Sequence, residues 1–456
     1  MSLLPLSSGK SLAVLVTAVL LLLIPVVLIE VPVLEHTHGS VLFPQDKAFV
    51  DFTVGRNLAF FRVWGLSKYA FQSASSSLLY PLVLAPVFFI FGAQLVVPLA
   101  VNVAAAVGFL FVLQRALIRV GAGPLRQLMI LVAAMGLTVL PLLVVSGQEY
   151  TLQLLCVVLF MEAVAFGITA DAVLPRAVYV YGALAVAARY EDLLLIAFAC
   201  VLVGLLKGRK PALKLALIAV SPVWVFGVLS LFKDSYFFPN SLLLGPYPGY
   251  ALALAIVAVV LIFLTLWRYS RQSPAERRRT APRLALLSLG LLALPFGARN
   301  LVGLGHFRRD CDRIYDQQYL TARFVHRYYF KWGIGINDPG VVSWFSEGRK
   351  LDFTGAGSSD VTRCKKEHLW TPVWADSLSR KMGISTAIVT DPWFRPDQLP
   401  MWNKVASWRV PDNGGSVDAE VVFFYAINKY DTARLRKSLH DYQPFLPAGV
   451  DVQYYY

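Results

Sequence analysis

The sequence predicts a polytopic α-helical membrane protein of about nine or more transmembrane helices, followed by a C-terminal soluble α/β domain. Three observations carry this expectation. The chain of 456 residues is 57% hydrophobic and only 15% charged, with a mean hydropathy of +0.59, whereas soluble domains are about one-quarter charged. Several apolar runs reach about 20 residues, the length that crosses a hydrocarbon core. After residue 302 these runs stop, and 303–456 is much more polar, with strand and helix patterns.

The first run, 11–31, follows Lys10 and is too long for a cleaved leader. No small-x-small cleavage site precedes Glu35, so the run reads as a retained anchor with its N-terminus in the cytoplasm. The remaining spans follow from placing the basic clusters Arg115–Arg126, Lys207–Lys214 and Arg268–Arg283 on the cytoplasmic side. This threading gives spans at 11–31, 94–114, 127–146, 151–168, 172–188, 191–206, 211–231, 249–267 and 284–302. The net charge of +14 is then a positive-inside bias, and no aromatic-interleaved basic groove argues for nucleic acid. The apolar piece 78–92 would reverse the parity if it crossed, so it is expected to lie at the outer interface as a helix. Loops 32–77, 147–150, 189–192 and 232–248 all fall on the outer face. Residues 1–302 form the transmembrane domain and 303–456 an extracytoplasmic domain.

In the C-terminal part, 306–330 reads as helix. "GIGIND", "VVSWF", "KLDF", "STAIVTD" and "AEVVFFYAI" read as strands, with "SEGR" as a turn. Asp431 is expected to cap a helix over 432–440. Of the four cysteines, Cys156 and Cys200 fall in apolar spans as packing residues. Cys311 and Cys364 fit no zinc spacing, and a disulfide between them is open if this part lies outside the cytoplasm. No Gly-rich loop follows a strand, which argues against a nucleotide-sugar donor. The aromatic residues of 327–345 and the terminal "YYY" suit either sugar stacking or core packing.

The outer loops hold the candidate functional residues. "DKAFVDFTVGRNLAFF" carries apolar residues at Phe49, Phe52, Val54 and Leu58, the pattern of an interfacial helix beginning after Asp46, with Phe49 and Phe52 as anchors at the lipid surface. By residue type Asp46 is equally an N-cap, worth about 1 kcal/mol. Glu149, the group Arg189, Glu191 and Asp192, and Lys233 with Asp234 all border apolar spans, where charges are costly unless used. Arg189 and Glu191 are two positions apart, so a helix would not pair them. They call for partners on other spans or for a ligand with phosphate and hydroxyl character. Glu162, inside a span, reads as a helix–helix contact. His36 and His38 in "EHTH" offer too few ligands for zinc.

Several stretches, in order, resemble one family: the polytopic glycosyltransferases of the GT-C fold that use polyprenyl-phosphate sugars, closest to the bacterial arabinofuranosyltransferase-like members. "DKAFVDFTVGRNLA" is similar to their acidic pair and aromatic helix ending in Asn-Leu, with Asp46 in the place of the first acid. "GLSKYAFQSASSSLLYPLVLAP", with Gly65 and Pro81, resembles their Gly-rich bend and Ser/Thr-Pro-Leu segment. "SGQEYTL" matches Ser-Gly-x-Glu before a span. "ARYED" resembles Arg-Pro-Glu, with Tyr190 replacing the proline, and "FFPNS" carries Pro239 and Asn240. "NDPGVVSWF" and "KLDFTGAG" are similar to the Asp-x-Gly and Asp-x-x-Gly stretches of the tail. The likeness covers about 32–360.

This resemblance implies an integral-membrane glycosyltransferase. It would move a single sugar, at family level arabinofuranose, from a polyprenyl-phosphate donor to a cell-envelope glycan or surface protein. The reaction would take place on the extracytoplasmic face of a bacterial inner membrane, as an inverting displacement. The resemblance makes Asp46 the general base, with Asp51 as the fallback. Arg189, helped by Lys233 and Arg56, would meet the donor phosphate. Glu149, Glu191 and Asn240 would hold sugar hydroxyls or orient Arg189. One departure stands out: the family's second acid is Lys47 here, a poor start for a metal pair, so no cofactor is expected and a divalent metal is not favoured. A transporter or flippase of lipid-linked sugars is the alternative, but the hydropathy repeats with broken helices that mark transporters are not evident. A non-catalytic scaffold would leave the outer charges unexplained.

Overall fold

Among the described residues of the computed structural model, three helices are long and apolar enough to cross a membrane: Gly9–Glu35, Val96–Arg119 and Arg209–Leu231. The structure describes residues 9–37, 39–169, 173–244, 307, 310–390, 402–409, 421–447 and 449–455. The first of these helices, α1 (Gly9–His36), buries Ala18, Leu22 and Val26 on one side and exposes Leu20, Ile24 and Leu28 on the other. A helix as apolar on its exposed face as on its packed face is suited to lipid rather than water.

Between the first two spans lie α2 (Asp46–Phe61) and α3 (Leu79–Phe91), and the second span is α4 (Val96–Arg119). The expected span over 127–146 is divided into α5 (Pro124–Thr138) and α6 (Leu140–Val145). The break falls at Val139, whose φ is 46°. Pro141 lacks the N–H that would continue the ladder, so the chain restarts with that proline in the first turn of α6. Then follow α7 (Tyr150–Thr169), α8 (Arg176–Ala188), α9 (Leu193–Lys207) and the third long span, α10 (Arg209–Leu231). The expected spans 249–267 and 284–302 lie outside the described residues. Glu162 of α7 pairs with Arg115 and Arg119 of α4, the latter at 2.8 Å, which makes it a helix–helix clamp.

After the short α11 (Asn240–Leu244), the C-terminal part opens with a wide helical turn, Ile314–Tyr319, that runs into α12 (Leu320–Tyr328). The sheet is built from β1 (Gly333–Ile336), β2 (Lys350–Asp352), β3 (Ile384–Thr390), β4 (Asn403–Arg409), β5 (Val421–Ala426) and β6 (Asp451–Tyr454), in the order β2-β1-β3-β5-β4-β6. β1 pairs in parallel with β2 and β3, and the other pairs are antiparallel. The helices are α13 (Pro339–Phe345), α14 (Ser359–Lys366), α15 (Pro372–Lys381) and α16 (Lys429–Tyr442). "VVSWF", expected as a strand, is therefore helical. Asp338-Pro339 starts a helix with proline in its first turn, and the segment serves as the crossover that parallel β1 and β2 require. The cap position of α16 is Asn428, and Asp431 sits inside its first turn. The strands β4 and β6 and the helices α14 and α15 were not among the expected elements.

One face of the sheet packs Ile336, Ile388, Trp408 and Phe424 against α12 and α16, and the other packs Leu351, Phe353, Ala387 and Val389 against α14 and α15. The first of these cores does not stop at the domain edge. It continues through Trp344 of α13 into Phe43, Phe49 and Phe52 beside and within α2, and Phe88 of α3. Phe43 and Phe52 stack edge-on at 5.1 Å between ring centres, and Phe52 meets Trp344 at 6.1 Å. Phe49 and Phe52 are thus fully buried, not anchors at a lipid surface, because the C-terminal domain covers the face of α2 that carries them. All four cysteines are free thiols, and Cys311 packs with α1 and α5, while Cys364 lies in α14.

Candidate functional site

Helix α2 presents charges in two directions. Toward the C-terminal domain it offers Asp46 and Arg56. The Asp46 carboxylate accepts from the backbone N–H of Gly340 and of Val341, both at 2.8 Å, at the N-terminus of α13. Arg56 donates to the carbonyls of Ser343 (3.2 Å) and Trp344 at the other end of α13, and its guanidinium lies 5.3 Å from the centre of the Trp344 ring. An anion on the free N–H groups of a helix and a cation on its last carbonyls both oppose the helix dipole favourably. The two residues therefore clamp α13 lengthwise along α2. Burial raises the Asp46 carboxyl to about 6, against the pull of the two N–H donors, with the charge of Asp352 pushing the same way as burial.

The clamp makes two predictions. A Cβ on Gly340 would sit 2.0 Å from the Asp46 carbonyl oxygen. Gly340→Ala is expected to cost about 1–3 kcal/mol through this overpacking and to expose the 310–455 region to limited proteolysis. Asp46→Ala removes the acceptor for two helix N–H groups and should lower stability by about 1–2 kcal/mol, read as a drop in unfolding temperature of the detergent-solubilised chain.

Away from that domain, α2 buries Asp51. Ser75 Oγ is within hydrogen-bond distance of both Asp51 Oδ1 and the Ser77 carbonyl (2.7 Å). A serine has one hydroxyl proton for these two acceptors, an arrangement that a protonated Asp51 resolves. Asp51 Oδ2 is buried and has no partner among the described residues. Burial, then the charge of Glu149, push Asp51 up to about 8, while Ser75, Lys47 and Arg189 pull it down. Glu149 is fully buried; its Oε1 accepts from Arg189 Nη1 at 2.9 Å and from Ser76 Oγ at 3.4 Å, and its Oε2 has no partner.

Arg189 lies in extended backbone between α8 and the turn Tyr190–Asp192, which is why it and Glu191 pair although no helix would allow it. Its Nη2 donates to Glu191 Oε1 at 2.6 Å and its Nε to Oε2 at 3.2 Å, and its guanidinium lies 4.8 Å from the Tyr150 ring centre. Burial pulls the Arg189 pKa down, but its two carboxylate partners outweigh this and hold it firmly charged. Glu191 is half exposed, so the cluster opens to the surface on its side.

Asn240 is buried between the Ser73 stretch and α14. Its backbone N–H donates to the carbonyl of Ser73 (3.0 Å), its side-chain N–H to Ser359 Oγ (3.3 Å), and its Oδ1 has no partner. Ser73 Oγ is also buried without a partner. The structure thus brings together Asp51, Glu149, Arg189 and Glu191, whereas Asn240 meets Ser73 and Ser359 of α14. Asp46 and Arg56 are turned to the C-terminal domain, and Lys233 is exposed in the turn after α10. The serines 73, 75 and 76 were not singled out from the sequence; their signal was the run "SASSS", buried ahead of an apolar helix. The side chains of His36 and His38 lie outside the described residues. Among the described residues no group of three or more His, Cys, Asp or Glu side chains is placed to hold a metal ion.

On the Arg56 side, a cleft of about 570 Å³ is lined by Phe61, His326, Phe330, Trp344 and Glu347. Trp344 and Phe330 give it aromatic walls of the kind that stack on sugar rings, and the ion pair of Glu347 with Lys68 (2.6 Å) borders it.

Residues 310–425, the sheet-bearing part, match the model of a family described as a domain of unknown function, DUF8728. No curated protein and no solved structure matches the chain.

Proposed function

We propose that this chain is a GT-C-type membrane glycosyltransferase that transfers one sugar, arabinofuranose by resemblance, from a polyprenyl-phosphate donor to an envelope glycan or surface protein. It would sit in a bacterial inner membrane with nine or more spans, its N-terminus cytoplasmic and its C-terminal domain outside. The observation that carries this reading is convergence. Asp51, Ser76, Glu149, and Arg189 with Glu191 come from four separated stretches, each close to a spanning or apolar helix, and meet in one largely buried polar cluster. Its Asp51 and Glu149 oxygens that have no partner among the described residues are what a polyhydroxyl ligand would satisfy.

In this reading the acceptor hydroxyl attacks the anomeric carbon as the bond to the donor phosphate breaks, and the anomeric configuration inverts. The hydroxyl proton passes to Asp51. Asp51 is the better base than Asp46, because one of its oxygens is free while both Asp46 oxygens are held by α13. A carboxyl titrating near the working pH is matched to that task. Arg189 meets the leaving phosphate. The test is to incubate the full chain in vesicles with a synthetic farnesyl-phosphoryl arabinofuranose and envelope acceptors. Release of farnesyl phosphate with an inverted sugar on the acceptor is expected. Passage of the intact donor across the bilayer without its consumption would make the protein a flippase instead.

A further inference from the structure

We propose that Lys47 is the second phosphate anchor of this site, an ammonium that acts beside Arg189 where a metal ion would otherwise be needed. The inference rests on the donor reading above. Lys47 and Asp51 are four positions apart on α2 and so share one helix face. Ser75 bonds Asp51 and the adjacent Ser76 bonds Glu149, the partner of Arg189, so the helix face shared by Lys47 and Asp51 is turned toward that cluster. Among the described residues Lys47 makes no hydrogen bond or ion pair, and it is only partly buried. Arg189, by contrast, is engaged by two carboxylates at once.

Charge balance gives the reason. With Asp51 neutral, Glu149 and Glu191 outnumber Arg189, and a phosphate would meet a net negative cluster. The free ammonium on a flexible four-carbon stem brings that balance to neutral and can follow the phosphate as the ester bond breaks. No set of three metal-ligating side chains competes for the role among the described residues.

The experiment measures binding of farnesyl phosphate and of farnesol to the detergent-solubilised full chain, with and without EDTA. The wild type should prefer farnesyl phosphate, and EDTA should not change this. Lys47→Gln should weaken farnesyl phosphate binding by about 10- to 100-fold, the range for losing a charged hydrogen bond, and leave farnesol binding unchanged. Lys47→Arg should stay within about threefold of wild type, since it keeps the charge. Undiminished phosphate preference in Lys47→Gln overturns the role of Lys47 and leaves the donor reading standing. Loss in Lys47→Arg as well assigns the effect to packing and overturns it too. Loss of the preference with EDTA overturns the metal-free anchor. A wild type that binds both lipids equally overturns the donor reading itself.

Discussion

Asp51→Asn is expected to reduce sugar transfer by about 10²- to 10⁴-fold, the span of a lost general base, without harming the fold. Asn keeps the shape of the neutral carboxyl, and Ser75 can still serve as its neighbour. Because the reactive form is the deprotonated one, wild-type transfer should climb between about pH 6.5 and 9 with a midpoint near the value of about 8 set by burial and Glu149. The variant's residual rate should lack that rise. The stability sign follows from the same shift. A carboxyl raised from an ordinary value of 3.8 to about 8 is bound to its proton more tightly in the folded chain, so the wild type loses stability as pH rises through that window. The variant does not titrate, and its unfolding temperature should exceed that of the wild type by a margin that grows from pH 5 to pH 8. Full transfer by Asp51→Asn, with loss in Asp46→Asn, would return the base to Asp46.

Arg189→Met should be the most destabilising single change in the site, by about 3–5 kcal/mol. Glu149 is fully buried, and Arg189 is its only ion-pair partner, at 2.9 Å, among the described residues. Removing the guanidinium strands that carboxylate, and it also removes the group proposed to meet the donor phosphate. The two effects separate in a double variant. Glu149→Gln with Arg189→Met leaves no buried charge and should recover most of the unfolding temperature, since deleting both partners costs far less than deleting one. Transfer should not recover. A double variant as unstable as Arg189→Met would mean that the pair does not set the stability of this region, and recovered transfer would mean that the phosphate is held elsewhere.

The overlap between sequence and structure follows from the range of each interaction. Hydropathy and charge are local, so the long apolar helices, the break at Arg189, and the strands β1, β2, β3 and β5 lie at or near stretches that the sequence marks out. The charged stretches at Glu149 and at Arg189 and Glu191 were legible for the same reason: ionisable groups beside apolar spans need a partner. "VVSWF" was misread because its apolar run fits a buried strand or a short helix equally well by periodicity. Pro339 and the parallel pairing of its flanking strands decide for helix.

The roles within "DKAFVDFTVGRN" were not legible. Asp46 and Asp51 are five positions apart, which on a helix turns one about 140° from the other, so they cannot serve the same face. The residues that claim Asp46, Gly340 and Val341, lie 294 and 295 positions downstream. From the sequence alone came the membrane class, the order of the charged stretches between apolar helices and, by resemblance, the anomaly of Lys47. Only the tertiary structure decided that Asp46 and Arg56 clamp α13, that Phe49 and Phe52 are buried beneath Trp344, and that Asp51 is left with a free oxygen beside Glu149 and Arg189. The first set depends on composition within about 20 residues, the second on which face of one helix a domain hundreds of positions away comes to cover.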